Sequence, residues 1–269
     1  MGKVVFIMVD ALGYQAGVEG MGYMMHLVES GQAALYKVKG ELPSLSRPIY
    51  ETLHTGLPVS VHGILSNATI RLSNQPNLFQ LARQAGKTTA AAAYWWVSEL
   101  YNRAPFDVIM DREVDDENLI IQHGRFYIYD DYPDRELFYD AGLLVRRFHP
   151  DFLLIHPMGM DYAGHTKGAN TPEYRNQAIF IDAWLTPLYD EWLKLGYTLL
   201  VTGDHGMNAD RAHGGDTEAM RMVPLFIAGQ GIQTRGDTGE TISQLSIAPT
   251  ICRMLGLPIP ATMKAPPLI

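Results

Sequence analysis

Six residues of this 269-residue chain have types and settings that could do chemistry together: Asp10, Asp161, His165, Asp204, His205 and His213. Asp10 lies in IMVDALG, Asp161 and His165 in MGMDYAGH, and the last three in VTGDHGMNADRAHGG. A fourth segment of note, LPSLSRPIYETLHTG, carries Ser46. Carboxylate oxygen and imidazole nitrogen are ligands for zinc, manganese or iron. No cysteine accompanies them, which argues against a structural zinc.

Each of these residues has an ordinary reading when taken alone. An Asp after a strand is commonly the N-cap of the next helix. Asp161 and His165 stand four apart, one turn of a helix, a spacing that arises often without function. Asp204-His205-Gly206 reads equally as a turn. The joint occurrence reads differently. Three acids and three histidines, flanked by Gly13, Gly164, Gly203, Gly206 and Gly214-Gly215, fit a binuclear metal site better than a surface. The other histidines look less useful. His26 falls on an apolar helical stripe, and His62 precedes a glycine. His54, His123, His149 and His156 have no acidic partner at ligand spacing.

The elements that must position these residues alternate between strand and helix. Residues 3–9 form a continuous apolar run, as in a strand buried on both faces. Met21, Met24, Met25 and Val28 recur at helical spacing and stop at Gly31. Pro76 opens another helix with Leu78, Leu81, Ala82 and Ala85 on one face. Strands are expected at 88–93, 152–155, 197–201 and 223–228. A helix over 173–195 carries the stripe Ala178, Ile181, Leu185, Leu188 and Trp192, with a kink or break at Pro187. The last helix starts at Ser246 and ends before Gly256. This alternation predicts an α/β fold with a mostly parallel sheet. In such sheets, sites form beyond the carboxyl ends of the strands, where Asp10 and Asp204-His205 fall directly and Asp161 after a short loop. Between about 100 and 150 the periodicity is poor and aromatics are dense, so that stretch is expected as a small insertion or lid within one domain, 1–269. Its six acids against one arginine over 107–117 read as a solvated face.

Composition narrows the function. About 47% of the chain is apolar and 19% charged, enough for one large core and unlike a disordered chain. The net charge of -8 disfavours binding to a nucleic-acid duplex, which needs clustered Lys and Arg. Cys252 is the sole cysteine, so no intrachain disulfide forms. The N-terminal apolar run is short and reaches Asp10 at once, which reads as a strand and not a signal peptide. No stretch approaches the ~18 apolar residues of a membrane span. A soluble, cytoplasmic protein with no membrane partner is the expectation.

Taken in order, VDALG, PSLSRP…TG…HGILSN, DYAGH, GDHGM and AHGG resemble the alkaline phosphatase superfamily, and within it the type I phosphodiesterases and nucleotide pyrophosphatases. The resemblance runs from the Asp10 strand to LSIAPTICRMLGLP. It implies a three-layer αβα sandwich around a mostly parallel sheet. It implies two divalent metal ions, zinc first, with manganese or iron as alternatives. One would be held by Asp161, His165 and His213, the other by Asp10, Asp204 and His205, next to the nucleophile. That nucleophile aligns at Ser46, where close members usually have Thr. Asn67 matches an Asn that hydrogen-bonds a phosphoryl oxygen. The implied reaction is hydrolysis of phosphate diesters or nucleotide pyrophosphates through a phospho-Ser46 intermediate, with a small phosphate ester or nucleotide as partner. A phosphomonoesterase or phosphonate hydrolase on the same site is the nearest alternative. A non-catalytic member that binds metal or nucleotide is one of another class. Arg47 reads equally as a phosphate ligand or a surface residue. Arg47-Pro48-Ile49-Tyr50 after Ser46 departs from the sulfatase pattern.

Overall fold

The computed structural model describes residues 2–230 and 232–269. Nine strands form one sheet: β1 (Lys3–Val9), β2 (Ala33–Lys39), β3 (Thr89–Tyr94), β4 (Glu113–Asp115), β5 (His123–Tyr127), β6 (Phe152–Ile155), β7 (Tyr197–Gly203), β8 (Met222–Ala228) and β9 (Gly236–Ser243). The helices are α1 (Tyr14–Gly20), α2 (Gly22–Glu29), α3 (Ser46–Thr55), α4 (Val59–His62), α5 (Leu78–Gln84), α6 (Trp95–Tyr101), α7 (Asp134–Phe148), α8 (Gly159–Lys167), α9 (Pro172–Lys194), α10 (Glu218–Arg221) and α11 (Ile247–Leu255). The strand order is β4-β5-β3-β6-β1-β7-β8-β2-β9. From β5 through β7 every pairing is parallel. β8 runs antiparallel to both β7 and β2, and β4 antiparallel to β5.

Alternate residues of β1 feed two different cores. Val5, Ile7 and Val9 pack on one face with α2, α7 and α9. Val4, Phe6 and Met8 pack on the other with α3, α5 and α11. The fold is therefore the mixed α/β sandwich with a mostly parallel sheet that the sequence predicts. Burial on both faces explains why β1 and β6 read as unbroken apolar runs.

Three local expectations are corrected. Of the kink or break expected at Pro187, α9 shows no break. Proline leaves the Ala183 carbonyl without its helical donor, but Ala183 and Pro187 are both exposed, so water satisfies it. The buried stripe on the far side holds both halves, with Tyr189 in the place expected for Leu188. α5 starts at Leu78 and not at Pro76, behind Asn77, whose side chain accepts from Gln80 N–H as the cap. The stretch from 100 to 150 is integrated into the sheet. It supplies β4, β5 and α7, whose Leu137, Phe138, Ala141 and Leu144 join the core. Its acids are partly paired: Asp111 takes Arg103 at 2.9 Å, and Asp115 takes Arg125 at 3.0 Å.

Candidate metal centre

β6, β1 and β7 are neighbours at the centre of the sheet. Their carboxyl ends deliver His156, Asp10 and Asp204-His205 to one place. α8 follows β6 and carries Asp161 and His165 one turn apart. The loop after β7 returns His213 to the same spot, where its Nδ1 meets the Ser44 carbonyl at 2.9 Å. That contact also fixes the segment leading to Ser46, the first residue of α3. All six residues singled out as ligands converge, and Ser46 joins them.

The donor atoms form two clusters. In the outer one, His165 Nε2 and His213 Nε2 lie 3.5 and 3.6 Å from Asp161 Oδ1 and 3.1 Å from each other. In the inner one, His205 Nε2 lies 3.4 Å from Asp10 Oδ1, 3.3 Å from Asp204 Oδ2 and 3.1 Å from Ser46 Oγ. A tetrahedral zinc with ligands at about 2.0–2.1 Å places its ligand atoms roughly 3.3–3.4 Å apart. The observed separations match those edges. The inner residues are fully buried, whereas the His165 side chain is 46% exposed.

Each donor is held with its free lone pair turned inward. His205, His165 and His213 place Nδ1 on the carbonyls of Gly206, Arg211 and Ser44 at 2.9–3.0 Å. A carbonyl only accepts, so Nδ1 carries the proton and Nε2 is the lone pair. Asp204 Oδ1 accepts from the N–H groups of Ala11 and His205, at 3.0 and 2.8 Å. Asp10 Oδ2 takes the Tyr50 hydroxyl at 2.5 Å. The remaining oxygens, Asp10 Oδ1, Asp204 Oδ2 and Asp161 Oδ1, are buried with no hydrogen-bond partner. Orphaned carboxylate oxygens are costly in a protein interior. This donor set fits divalent ions well.

The charges agree. Burial and the neighbouring Asp10 push the Asp161 and Asp204 carboxyls well above the usual carboxylate range. Burial would also raise Asp10, but His156, His205 and Tyr50 together hold it below that range. Burial and the nearby His213 lower His205 to about 3, so it is neutral at pH 7 and able to ligate.

The turns are built for close approach. Ala11 adopts a left-handed φ of 61°, held by Asp204 at its N–H and by the Tyr174 hydroxyl, which donates to its carbonyl at 2.5 Å. A side chain at Gly206 would collide with the Ala219 carbonyl and with Gly13, so only glycine lets the His205 turn close on the Asp10 turn.

Asn67 and Arg47 have different fates. Asn67 Oδ1 accepts from Arg47 N–H at 3.0 Å, which caps α3 directly behind Ser46. The Arg47 guanidinium is buried away from the site. It holds Glu99 Oε2 and the Thr69 carbonyl, both at 2.6 Å, and stacks 4.5 Å over the Trp96 ring.

Several supporting residues were not anticipated. His156, set aside for want of an acidic partner, lies 3.3 Å from Asp10 Oδ2. Its signal was its place, the first residue after a strand. Tyr50 falls one helical turn after Ser46, a spacing that puts both on one face. Asp134, the first residue of α7, accepts from the N–H groups of Met158 and Gly159 at 3.1 and 3.2 Å. It thereby caps α8, the carrier of Asp161 and His165.

Burial raises Asp134 to about 7. A carboxyl raised on folding contributes most stability below its unfolded pKa of about 3.9, and loses it as pH rises toward 7. Asp134→Asn keeps the accepting oxygen without the charge. Its melting temperature relative to wild type should therefore rise between pH 5 and pH 8. A difference that stays constant, in thermal melts at both pH values, would contradict this.

The model of the type I phosphodiesterase / nucleotide pyrophosphatase family matches residues 4–215, and the chain belongs to that family. Its fold is shared with solved structures of low sequence identity. Human ectonucleotide pyrophosphatase/phosphodiesterase 5 superposes with a TM-score of 0.74 at 13% identity, over 96% of each chain. A mutant of the alkaline phosphatase PafA superposes at 0.71 and 12% identity, over 98% of each chain. In sequence, the chain is 26% identical to the human GPI ethanolamine phosphate transferase 2 catalytic subunit, over 96% of this chain. It spans only 27% of that relative's length. Human GPI ethanolamine phosphate transferase 3 is 35% identical over 41% of this chain and 10% of its own. Among the described residues, no helix is long and apolar enough to cross a membrane.

Proposed function

We propose that the chain is a metal-dependent enzyme that cleaves a phosphate diester or nucleotide pyrophosphate and holds the retained phosphoryl group on Ser46. The observation that carries this reading is the placing of Ser46 Oγ 3.1 Å from His205 Nε2, beside the orphaned oxygens of Asp10 and Asp204. The inner ion falls to Asp10, Asp204, His205 and Ser46, and the outer to Asp161, His165 and His213. Two divalent ions, when bound, supply positive charge that makes the Ser46 hydroxyl acidic and offsets charge on the phosphoryl oxygens.

The chain's own residues do the rest. Ser46 stands at the N-terminus of α3, where the helix dipole favours a negative oxygen. Its proton goes to solvent, an Oγ–P bond forms, and the bond from phosphorus to the leaving oxygen breaks. The leaving alcohol or phosphate takes up a proton. Asn67, anchored through Oδ1, has its Nδ2 group to donate to a phosphoryl oxygen. In the second step an acceptor hydroxyl attacks phosphorus, the Oγ–P bond breaks, the acceptor's proton goes to solvent and Ser46 Oγ takes one up.

Water as acceptor gives hydrolysis. An alcohol as acceptor gives transfer, and the likeness to a GPI ethanolamine phosphate transferase favours that second reading. The two share the first step, so leaving-group release tests both. Arg47 is committed to Glu99 and Thr69, which leaves the doubly charged phosphate of a monoester without that cation. Bis-p-nitrophenyl phosphate should be cleaved at least ~10-fold faster than p-nitrophenyl phosphate, on the scale of one lost charge-assisted contact. A preference for the monoester would overturn the diester assignment. Product analysis with an added polyol acceptor such as glycerol then separates transfer from hydrolysis.

A further inference from the structure

We propose that His156 and Tyr50 are a positioning pair that fixes Asp10 as a one-oxygen ligand and thereby sets the affinity of the inner metal site. This rests on the metal assignment above. The Tyr50 hydroxyl donates to Asp10 Oδ2 at 2.5 Å, and His156 Nε2 stands 3.3 Å from the same oxygen. Asp10 Oδ1 is left orphaned, 3.4 Å from His205 Nε2. A free carboxylate can turn and offer both oxygens to an ion. With Oδ2 bonded by the Tyr50 hydroxyl and His156 Nε2 packed 3.3 Å beside it, Oδ1 is the oxygen that faces the inner cluster.

The pair is itself held rigidly. Asp10, Tyr50 and His156 are all fully buried. The Tyr50 and His156 rings meet edge to face, with centroids 4.7 Å apart. His156 N–H donates to the Ala92 carbonyl at 2.9 Å, and the Tyr127 hydroxyl donates to the His156 carbonyl at 2.7 Å. Hydrogen bonds to β3 and β5 thus hold the His156 backbone just past the end of β6, and the contact with Tyr50 places its ring beside Asp10, the residue that follows β1. Among the described residues no hydrogen bond braces Asp161 Oδ1, which faces His165 and His213 with His205 nearby. Loss of the pair should therefore act on one site and spare the other.

The test is a calorimetric zinc titration of the whole chain as wild type, His156→Ala, His156→Gln and Tyr50→Phe, with thermal melts of each chelated protein. Outer-partner mutations near metals typically cost 10–100-fold in affinity. The inner-site affinity should fall by about that range in His156→Ala and by ~10-fold in Tyr50→Phe. The outer site should fall by less, about 3-fold at most, because His205 adjoins both clusters whereas Tyr50 and His156 meet Asp10. His156→Gln, which restores an N–H donor, should recover most of the loss. If His156→Ala does not fold, Tyr50→Phe carries the test. Unchanged inner affinity in Tyr50→Phe, or in a folded His156→Ala, would overturn the proposal. So would an equal fall at both sites accompanied by a lower melting temperature of the chelated protein, which would mark a merely structural role. A wild type that binds no zinc would overturn the metal assignment itself, and this inference with it.

Discussion

Replacing Ser46 with alanine is expected to lower phosphodiester turnover by about 10⁴-fold or more, the scale seen when a nucleophile is removed from a preorganised site. The change is small in volume and lies at a helix start, so the fold should survive. Ser46 Oγ makes its one hydrogen bond to His205, and α3 is anchored elsewhere, through Asn67 at Arg47 N–H and through a fully buried helix face. Substrate binding should change far less than turnover, because the ions and Asn67 remain. Ser46→Thr keeps the hydroxyl and should keep measurable activity. Steady-state kinetics on bis-p-nitrophenyl phosphate, with metal content checked in each variant, measures this. Full activity in a metal-loaded Ser46→Ala protein would remove Ser46 from the reaction.

Metal removal is the second large effect. The chelated protein should be inactive and should melt about 10 °C lower than the zinc-loaded protein. Binding at 1,000 times Kd stabilises the folded state by about 4 kcal/mol, and each kcal/mol shifts the melting temperature of a chain of this size by roughly 2–4 °C. The two ions should also leave unequally. The inner ligands are fully buried, whereas His165 is half exposed. A chelator should thus take one ion quickly, and Asp161→Asn should lose that ion while keeping the other. Asp204→Asn should lose the inner ion. Timed metal analysis during chelation distinguishes the two sites. A single-phase loss, or a melting temperature indifferent to zinc, would contradict the assignment.

The convergence of the candidate ligands was legible in the sequence because parallel sheets bring strand ends together. Asp10 and Asp204 directly follow long apolar runs, and the adjacency of β1 and β7 places them side by side. Asp161 and His165 needed only helical spacing. The supporting cast was harder to read. His156 meets Asp10 because β6 pairs with β1, a neighbour relation that no local pattern announces. Arg47 stands next to the nucleophile in sequence, yet its partner Glu99 is 52 residues away. β9 is a polar, largely exposed edge strand, and its sequence GDTGETIS carries no apolar signal. β8 was legible as a strand, but its antiparallel direction is set by the connection that precedes it. At Pro187 a sound local rule gave way to tertiary packing.

The covalent intermediate on Ser46 is the central claim, and the stereochemical course at phosphorus tests it most directly. A chiral phosphorothioate diester that the enzyme turns over would be used, with the configuration of the product determined. Two successive in-line displacements, onto Ser46 and then off it, predict overall retention. Overall inversion would mean that the acceptor attacks the substrate directly, and would contradict the account.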